Sequence, residues 1–348
     1  MLPFSNWWRK YLRPGDSIVV VWDLPGFFAS IVKRVFPAWV SAKLRKFYLG
    51  ISQGKRNAGL SKKISFLDVD IVHLALQNGF TSDHPYIYHP HDLQHLHHPE
   101  YFDEATIWHR ETIWKAFAEN SSIIICASEF VRKDLVENWS IGTEKLRVLP
   151  MPTPIPSLSF ISDIGTKRHS IIYVANFWLH KNQETLIRAV RKLSESIPDV
   201  QLTLIGEGAT RARCEEISGE LGLNDSVRFL GSVNQSRLES ELSMHEIVCV
   251  PSEFEAASFP IIDAMRFNKK VVASSISPFR EMVGFGINLY GEPKDYLALA
   301  RELEKEFATF PVSESVAKSY QNYLATIAPN QIGEKLVSIY EEAMGVQS

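Results

Sequence analysis

Residues 246–274 read EIVCVPSEFEAASFPIIDAMRFNKKVVAS. Two apolar, β-branched runs, 246–252 and 270–274, flank a segment, 259–268, whose apolar residues recur at helical spacing. Strand, helix, strand predicts a crossover unit of a parallel sheet, because parallel strands cannot be joined by a tight turn. Pro260 suits the first turn of the helix, where its missing N–H costs nothing. The start of that helix, near Ser258 and Phe259, offers unpaired backbone N–H groups, an anion site suited to phosphate. Glu255 precedes it in the loop and Asp263 follows it in the helix, eight positions apart. The loop-to-helix change between them frees the two from facing each other as a hydrolase pair would. Each suits a different part of one extended ligand, since a carboxylate accepts hydrogen bonds from two neighbouring hydroxyls. A plainer reading stands beside this one, with Asp263 complementing the helix dipole and Glu255 solvated in its loop.

Outward from this unit the pattern repeats. SIIYVAN (170–176), VQLTLIG (200–206) and VRFLG (227–231) read as strands, and 181–196, 210–222 and 234–243 as the helices between them. Helices near 293–308 and 329–344 follow. Lys181 sits where a helix begins after a strand, placed to meet a phosphate as a point charge. The first half is less regular. SIVVVW (17–22), DVDIVHLAL (68–76), PYIYH (85–89), SIIICAS (122–128) and KLRVLPM (145–151) are strand-like. Residues 104–120 and 129–139 are helical, with Ser128 as the cap of the second. Residues 152–169, rich in Pro, Ser and Gly, read as a linker. The fold class is α/β, with two doubly wound domains; ligands in such sheets lie past the carboxyl ends of the strands.

The chain has 348 residues and a net charge of −3, which argues against nucleic acid as a partner. Three scattered cysteines make no disulfide framework and suit a reducing compartment. The start, MLPFSNWWRKYL, lacks the apolar core and cleavage site of a signal peptide, and no apolar run reaches the length of a membrane span. From Leu24 to Leu67 there are nine Lys or Arg and no Asp or Glu, with aromatic residues interleaved. Two readings fit this segment: a surface for anionic lipid, or a solvated helix face with its aromatics in the core.

YHPHDLQHLHHPE (88–100) holds five histidines in thirteen positions. Imidazole binds zinc, but the spacing lacks the helical i, i+4 pair with a distant third ligand that catalytic zinc prefers. No metal is expected.

Together these stretches resemble the retaining glycosyltransferases of the "group one" family, which have the GT-B fold of two facing Rossmann-like domains with an inter-domain cleft. The family's Glu-x7-Glu, usually EGFGLPxxEA, stands here as EAASFPIIDA (255–264). Its KN is Lys181-Asn182, its SxxxxxDL region is SEFVRKDL (128–135), and its FLG is Phe229-Leu230-Gly231. Its first-domain His-Asp pair is His91-Asp92, so the resemblance turns the histidine tract into a sugar-facing loop. The likeness covers roughly residues 85–345. It departs in three places. The first strand and Gly-rich loop have no clear match beyond WDLPGFF (22–28), so either the chain starts late or this half has diverged. Asn176 stands near the position of the Arg that precedes the family's Lys. Ala256-Ala257-Ser258 replace GFG, where added methyls narrow the approach to the sugar, and Asp263 is one methylene shorter than the usual Glu.

The resemblance implies residues 1–151 as an acceptor-side domain whose first strand is either missing or diverged, 152–169 as linker, 170–328 as a nucleotide-sugar domain and 329–348 as a helix returning to the first. It implies transfer of a hexose from a nucleotide-diphosphate donor to a hydroxyl, with retention and without a metal or other cofactor. His91, Lys181 and Glu255 are the expected catalytic residues. Asp92, Asn176, Asn182, Phe229, Gly231, Val233, Ala257, Ser258, Phe259 and Asp263 are expected at the donor, with Asp263 on the ribose and Phe229 to Val233 beside the base. GDP-mannose is the first choice of donor and a glycan or lipid-linked glycan the acceptor, at the cytoplasmic membrane face, in surface polysaccharide synthesis. A phosphorylase, an epimerase or a noncatalytic partner subunit are the competing readings.

Overall fold

Two parallel sheets organise the chain. The computed structural model describes residues 70–75, 77, 84–152 and 165–345, and the backbone of 19–20. The basic segment 24–67, WDLPGFF, and most of the linker lie outside the described residues. The chain divides into two units, Met1–Pro150 with Ile332–Ser348, and Met151–Gln331.

In the second unit the strands are β6 (Ser170–Val174), β7 (Gln201–Ile205), β8 (Val227–Phe229), β9 (Ile247–Val250), β10 (Lys270–Ala273) and β11 (Asn288–Leu289). They are parallel, in the order β11-β10-β9-β6-β7-β8. Ile171 and Ile172 of β6 pair with Ile247 and Val248 of β9. β9 and β10 are buried along their whole length, as expected for strands covered on both faces. The chain leaves β6 toward β7 and β8, then crosses back to β9. The strand order therefore reverses between β6 and β9, and such a switch point opens a crevice at the carboxyl ends of the two strands.

The helices of this unit follow from their apolar stripes. Helix α5 (Gln183–Leu193) buries Leu186, Ala189, Val190 and Leu193, one face at i, i+3, i+4, i+7 spacing. Helices α6 (Arg211–Glu220), α7 (Gln235–Met244), α8 (Phe259–Arg266), α9 (Ser277–Arg280), α10 (Tyr296–Phe307) and α11 (Glu314–Thr326) follow. Asn234, Asp295 and Ser313 accept amide hydrogens at the starts of α7, α10 and α11. The expected helix over 181–196 begins later, because Leu179–Lys181 forms a 3-10 turn and Asn182 adopts a left-handed φ of 56°. Helix α11 is absent from the sequence reading. It buries only Tyr320 and Leu324, too sparse a stripe to announce a helix.

In the first unit β1 (Val19–Val20), β2 (Val72–Leu74), β3 (Tyr86–Tyr88), β4 (Ile123–Cys126) and β5 (Leu146–Val148) are parallel and lie side by side in chain order. Helix α1 (Gln94–His97) follows β3. Helix α2 (Glu104–His109) runs through a π turn, Arg110–Trp114, into α3 (Lys115–Asn120), so the single helix expected over 104–120 carries one widened turn. Ser128 caps α4 (Glu129–Trp139) by accepting from the Val131 amide. Helix α12 (Pro329–Ala343) belongs to this unit from Ile332 onward, with the Tyr340 hydroxyl 2.8 Å from Nδ1 of His73.

Candidate functional site

The loops that leave β6 and β9 meet at the switch point of the second unit. The Glu253 amide donates to the His180 carbonyl at 2.8 Å. Lys181 Nζ then lies 2.5 Å from Glu255 Oε1. The same oxygen accepts from Ser252 Oγ at 2.8 Å, and Ser252 Oγ is 2.8 Å from the Tyr173 hydroxyl. Burial pushes the Tyr173 pKa well above its ordinary value, so it stays protonated. Because the serine proton is given to Glu255, Tyr173 donates to Ser252. The chain is therefore polarised, Tyr173 to Ser252 to Glu255, with Lys181 donating to the same carboxylate. The sequence singled out Lys181 and Glu255. It missed Tyr173 and Ser252, which look like ordinary residues at the ends of two strands.

Asn182 sits inside this bracket. Its amide donates to the carbonyls of Pro251 and Pro293, at 3.0 and 2.8 Å, and its oxygen accepts from Thr185 at 2.7 Å. The side chain thus ties the β6 loop to the β9 loop. The Asn176 side chain is exposed, while its carbonyl accepts from Gln183 Nε2 at 3.0 Å. The backbone of Gly206 and Gly208 runs so close to the same loop that a Cβ at either would collide with the carbonyl of Ala175 or Phe177. Both glycines have positive φ.

Helix α8 opens beside Glu255. Ser258 is extended, at φ −125°, and does not cap the helix. Its hydroxyl is buried and has no hydrogen-bond partner among the described residues. Pro260 has no N–H, so the first-turn amides that face outward are those of Phe259 and Ile261. Ala257 is half-buried before them, and the Phe259 ring is exposed, as is Trp178 in the β6 loop. Asp263 lies one turn on, 2.7 Å from Arg266 Nη1. Burial raises its pKa and Arg266 opposes that rise. Phe229, Gly231 and Val233 leave the carboxyl end of β8, where Gly231 turns with φ 68° and its carbonyl accepts from the Gly206 amide at 3.0 Å. Phe229 packs on Phe177, ring centroids 6.1 Å apart.

The histidine tract belongs to the first unit. His91 is left-handed, φ 54°, and burial lowers its pKa, with Asp92 opposing. Asp92 accepts from the Gln94 amide at 3.0 Å. The His89 and His91 rings are 4.8 Å apart. His95 reaches Glu111 at 2.7 Å, an oxygen that Trp139 Nε1 also meets at 2.9 Å. His97 reaches Asp134 at 2.7 Å, which raises the His97 pKa, and His98 reaches Glu100 at 3.1 Å. His95 and His97 thus bind the turn to α3's π-turn entry and to α4. Among the described residues no three His, Cys, Asp or Glu side chains are placed to share a metal ion.

Comparison with known proteins agrees with this architecture. The mannosyltransferase of Mycolicibacterium hassiacum named MMP alpha-(1->4)-mannosyltransferase is 26% identical over 205 residues, 54% of this chain and 49% of that protein. The phosphatidyl-myo-inositol mannosyltransferase of Mycobacterium tuberculosis is 30% identical over 161 residues, 44% of this chain and 42% of that protein. The chain spans about half the length of the curated relatives it matches. Among solved structures, Anabaena Alr3699/HepE in complex with UDP and glucose superposes with a TM-score of 0.66 at 18% identity, covering 82% of this chain and 80% of that one. Residues 155–308 match the family Glycosyl transferases group 1, and residues 6–154 match Glycosyltransferase Family 4. With both halves matched in order and two parallel α/β sheets in place, the chain belongs to the group 1 glycosyltransferases and has the GT-B fold.

Proposed function

We propose that the protein moves a hexose, with mannose as the first choice, from a nucleotide-diphosphate donor to a hydroxyl of a glycan or lipid-linked glycan, with retention of anomeric configuration. The observation that supports this most is the meeting of Lys181, Glu255 and the α8 start at the switch point of the second sheet. The costly feature of the reaction is charge. The leaving diphosphate gains negative charge as the sugar becomes oxocarbenium-like, and preorganised positive groups aimed at it lower the barrier.

Lys181 donates to Glu255. In the proposed cycle the diphosphate takes over Lys181 and the amides of Phe259 and Ile261. Glu255, still oriented by Ser252, then accepts from the sugar hydroxyls. Asp263 is assigned to the ribose, where it exchanges Arg266 for the ligand, and Phe229 to Val233 to the base. In the first unit His91, kept neutral by burial, is assigned to the sugar. Such a scheme asks nothing of a metal ion. The mannosyltransferase relatives support mannose, and GDP is the first choice of nucleotide. Among the described residues no helix is long and apolar enough to cross a membrane. Attachment to the cytoplasmic membrane face is proposed through residues 24–67.

The test is a panel of GDP- and UDP-sugars with purified protein, following nucleotide binding by thermal shift and donor turnover separately, with the anomer of the product read by NMR. Binding with turnover and a retained anomer is expected. Binding without turnover on any acceptor would point to a noncatalytic partner, and an inverted anomer would remove the mechanism.

A further inference from the structure

Arg110 belongs to none of the roles above. It opens the π turn between α2 and α3. Its guanidinium is clamped between two rings, 4.2 Å from the centroid of Phe102 and 4.3 Å from that of Trp114. Stacking of this kind fixes the plane of the fork and leaves its edge to donate. Yet, among the described residues, Nε and Nη1 are buried with no hydrogen-bond partner. A buried charge with unpaired donors is destabilising, so its retention calls for a partner that the described residues do not supply.

The surroundings say what kind. The groups that act on Arg110 are Asp92 and Tyr88, and it acts in turn on His95 and His109. The Trp114 ring that stacks on Arg110 meets the His95 ring edge-on, centroids 6.1 Å apart, so Arg110 lies beside α1 and the His91-Asp92 turn that follows β3, at the carboxyl end of a parallel strand where ligands sit. Asp92 does not bond to Arg110; it is drawn to the Gln94 amide instead. Charge then selects the ligand class. Arg110 is balanced by Asp92, Glu111 is engaged by His95 and Trp139, and burial disfavours charge on His91 and His95. A phosphate would meet a site whose net charge is not positive. A neutral polyol gains from both members, because a carboxylate accepts from hydroxyls while a guanidinium donates to them.

We propose that Arg110 and Asp92 form a hydroxyl-recognition pair in the first unit, binding adjacent hydroxyls of a neutral hexose at the His91 turn. The identity of the ligand as a hexose rests on the sugar-transfer reading; the preference for a neutral polyol over an anion rests on the pair itself. The pair makes Arg110 a specificity-determining residue that discriminates hexoses by the orientation of two neighbouring hydroxyls.

The test uses the full chain labelled with ¹⁵N. The Arg110 Nε–H resonance is assigned by its loss in Arg110→Lys. D-Mannose, D-glucose and inorganic phosphate are titrated separately at equal ionic strength. A hexose should move that resonance saturably, and phosphate should not. Asp92→Asn should weaken the hexose titration by about tenfold or more, the value of a hydrogen bond to a charged group. Arg110→Lys, which keeps the charge but loses the fork, should not restore hexose binding, measured by saturation transfer to the sugar. A resonance moved by phosphate alone, or by none of the three, overturns the proposal, as does Asp92→Asn binding hexose like wild type. The dispersion of the backbone amide resonances in the same samples reports that each variant is folded, and nucleoside-diphosphate binding is measured on wild type alongside. Its absence in wild type would defeat the sugar-transfer reading while the titration still decides the pair.

Discussion

Replacing Ser252 with Ala tests the hydrogen-bond chain behind Glu255. Ser252 is fully buried and Tyr173 is 1% exposed, so water cannot substitute for either. The substitution deletes a charge-assisted bond of 2.8 Å to Glu255, worth about 1.5–3 kcal/mol. It also strands the Tyr173 hydroxyl as a buried donor, at a further cost of about 1–3 kcal/mol. Tyr173→Phe loses only a neutral bond of 2.8 Å, worth about 1 kcal/mol, and strands no donor. The double variant loses the serine bond but has no orphan hydroxyl. It should therefore be more stable than Ser252→Ala alone by that orphan cost, about 1–3 kcal/mol, although it carries one more substitution. Urea unfolding of the four proteins measures this cycle, with midpoints expected to fall in the order wild type, Tyr173→Phe, double variant, Ser252→Ala. Strict additivity of the two single effects would refute the chain, because residues that share a bond couple and independent ones do not.

Other predictions concern the frame around the site. Burial holds His73 neutral, with its pKa pushed down to about 4 from 6.5. Its folded pKa lies below the unfolded one, so its contribution is full above 6.5 and is lost as pH falls toward about 4, up to about 3 kcal/mol. Wild type should lose more stability across that window than His73→Gln, and equal losses would show that His73 does not carry the effect. Gly208→Ala should destabilise by about 1–3 kcal/mol and weaken nucleotide binding, because the new methyl meets the Phe177 carbonyl and displaces the loop that ends in Lys181; calorimetry that found both unchanged would contradict the bracing described above. Neutralising Lys43, Arg45 and Lys46 should weaken sedimentation with anionic vesicles by about tenfold or more, at about 1 kcal/mol per charge, and unchanged binding would exclude this segment as the membrane contact.

Much of this molecule is visible in its sequence where one physical signal dominates. β6 and β9 announce themselves because strands covered on both faces need unbroken apolar runs, and α5 does so because its stripe repeats four times. Lys181 and Glu255 follow from their places at the ends of those strands. The sequence is silent where the meaning lies in a distant contact. Nothing near His97 points to Asp134, 37 positions on, and nothing near Ser252 points to Tyr173, 79 positions back. Asn182 looks like a ligand group, yet its amide and its oxygen are engaged by Pro251, Pro293 and Thr185. One signal was available for Arg110. It falls three positions after Ile107 and four before Trp114, a charge on the inward stripe of an otherwise apolar helix face, where an unpaired cation demands a reason.

The most direct measurement for the central claim is calorimetric titration of GDP and UDP into wild type, Lys181→Ala and Glu255→Gln, with donor turnover assayed on the same preparations. If Lys181 steadies the leaving diphosphate, its removal should weaken diphosphate binding and cut turnover by about a hundredfold or more. Glu255→Gln, which releases Lys181, should bind the diphosphate at least as tightly as wild type while turning over far more slowly. Diphosphate affinity that ignores both substitutions would contradict the account.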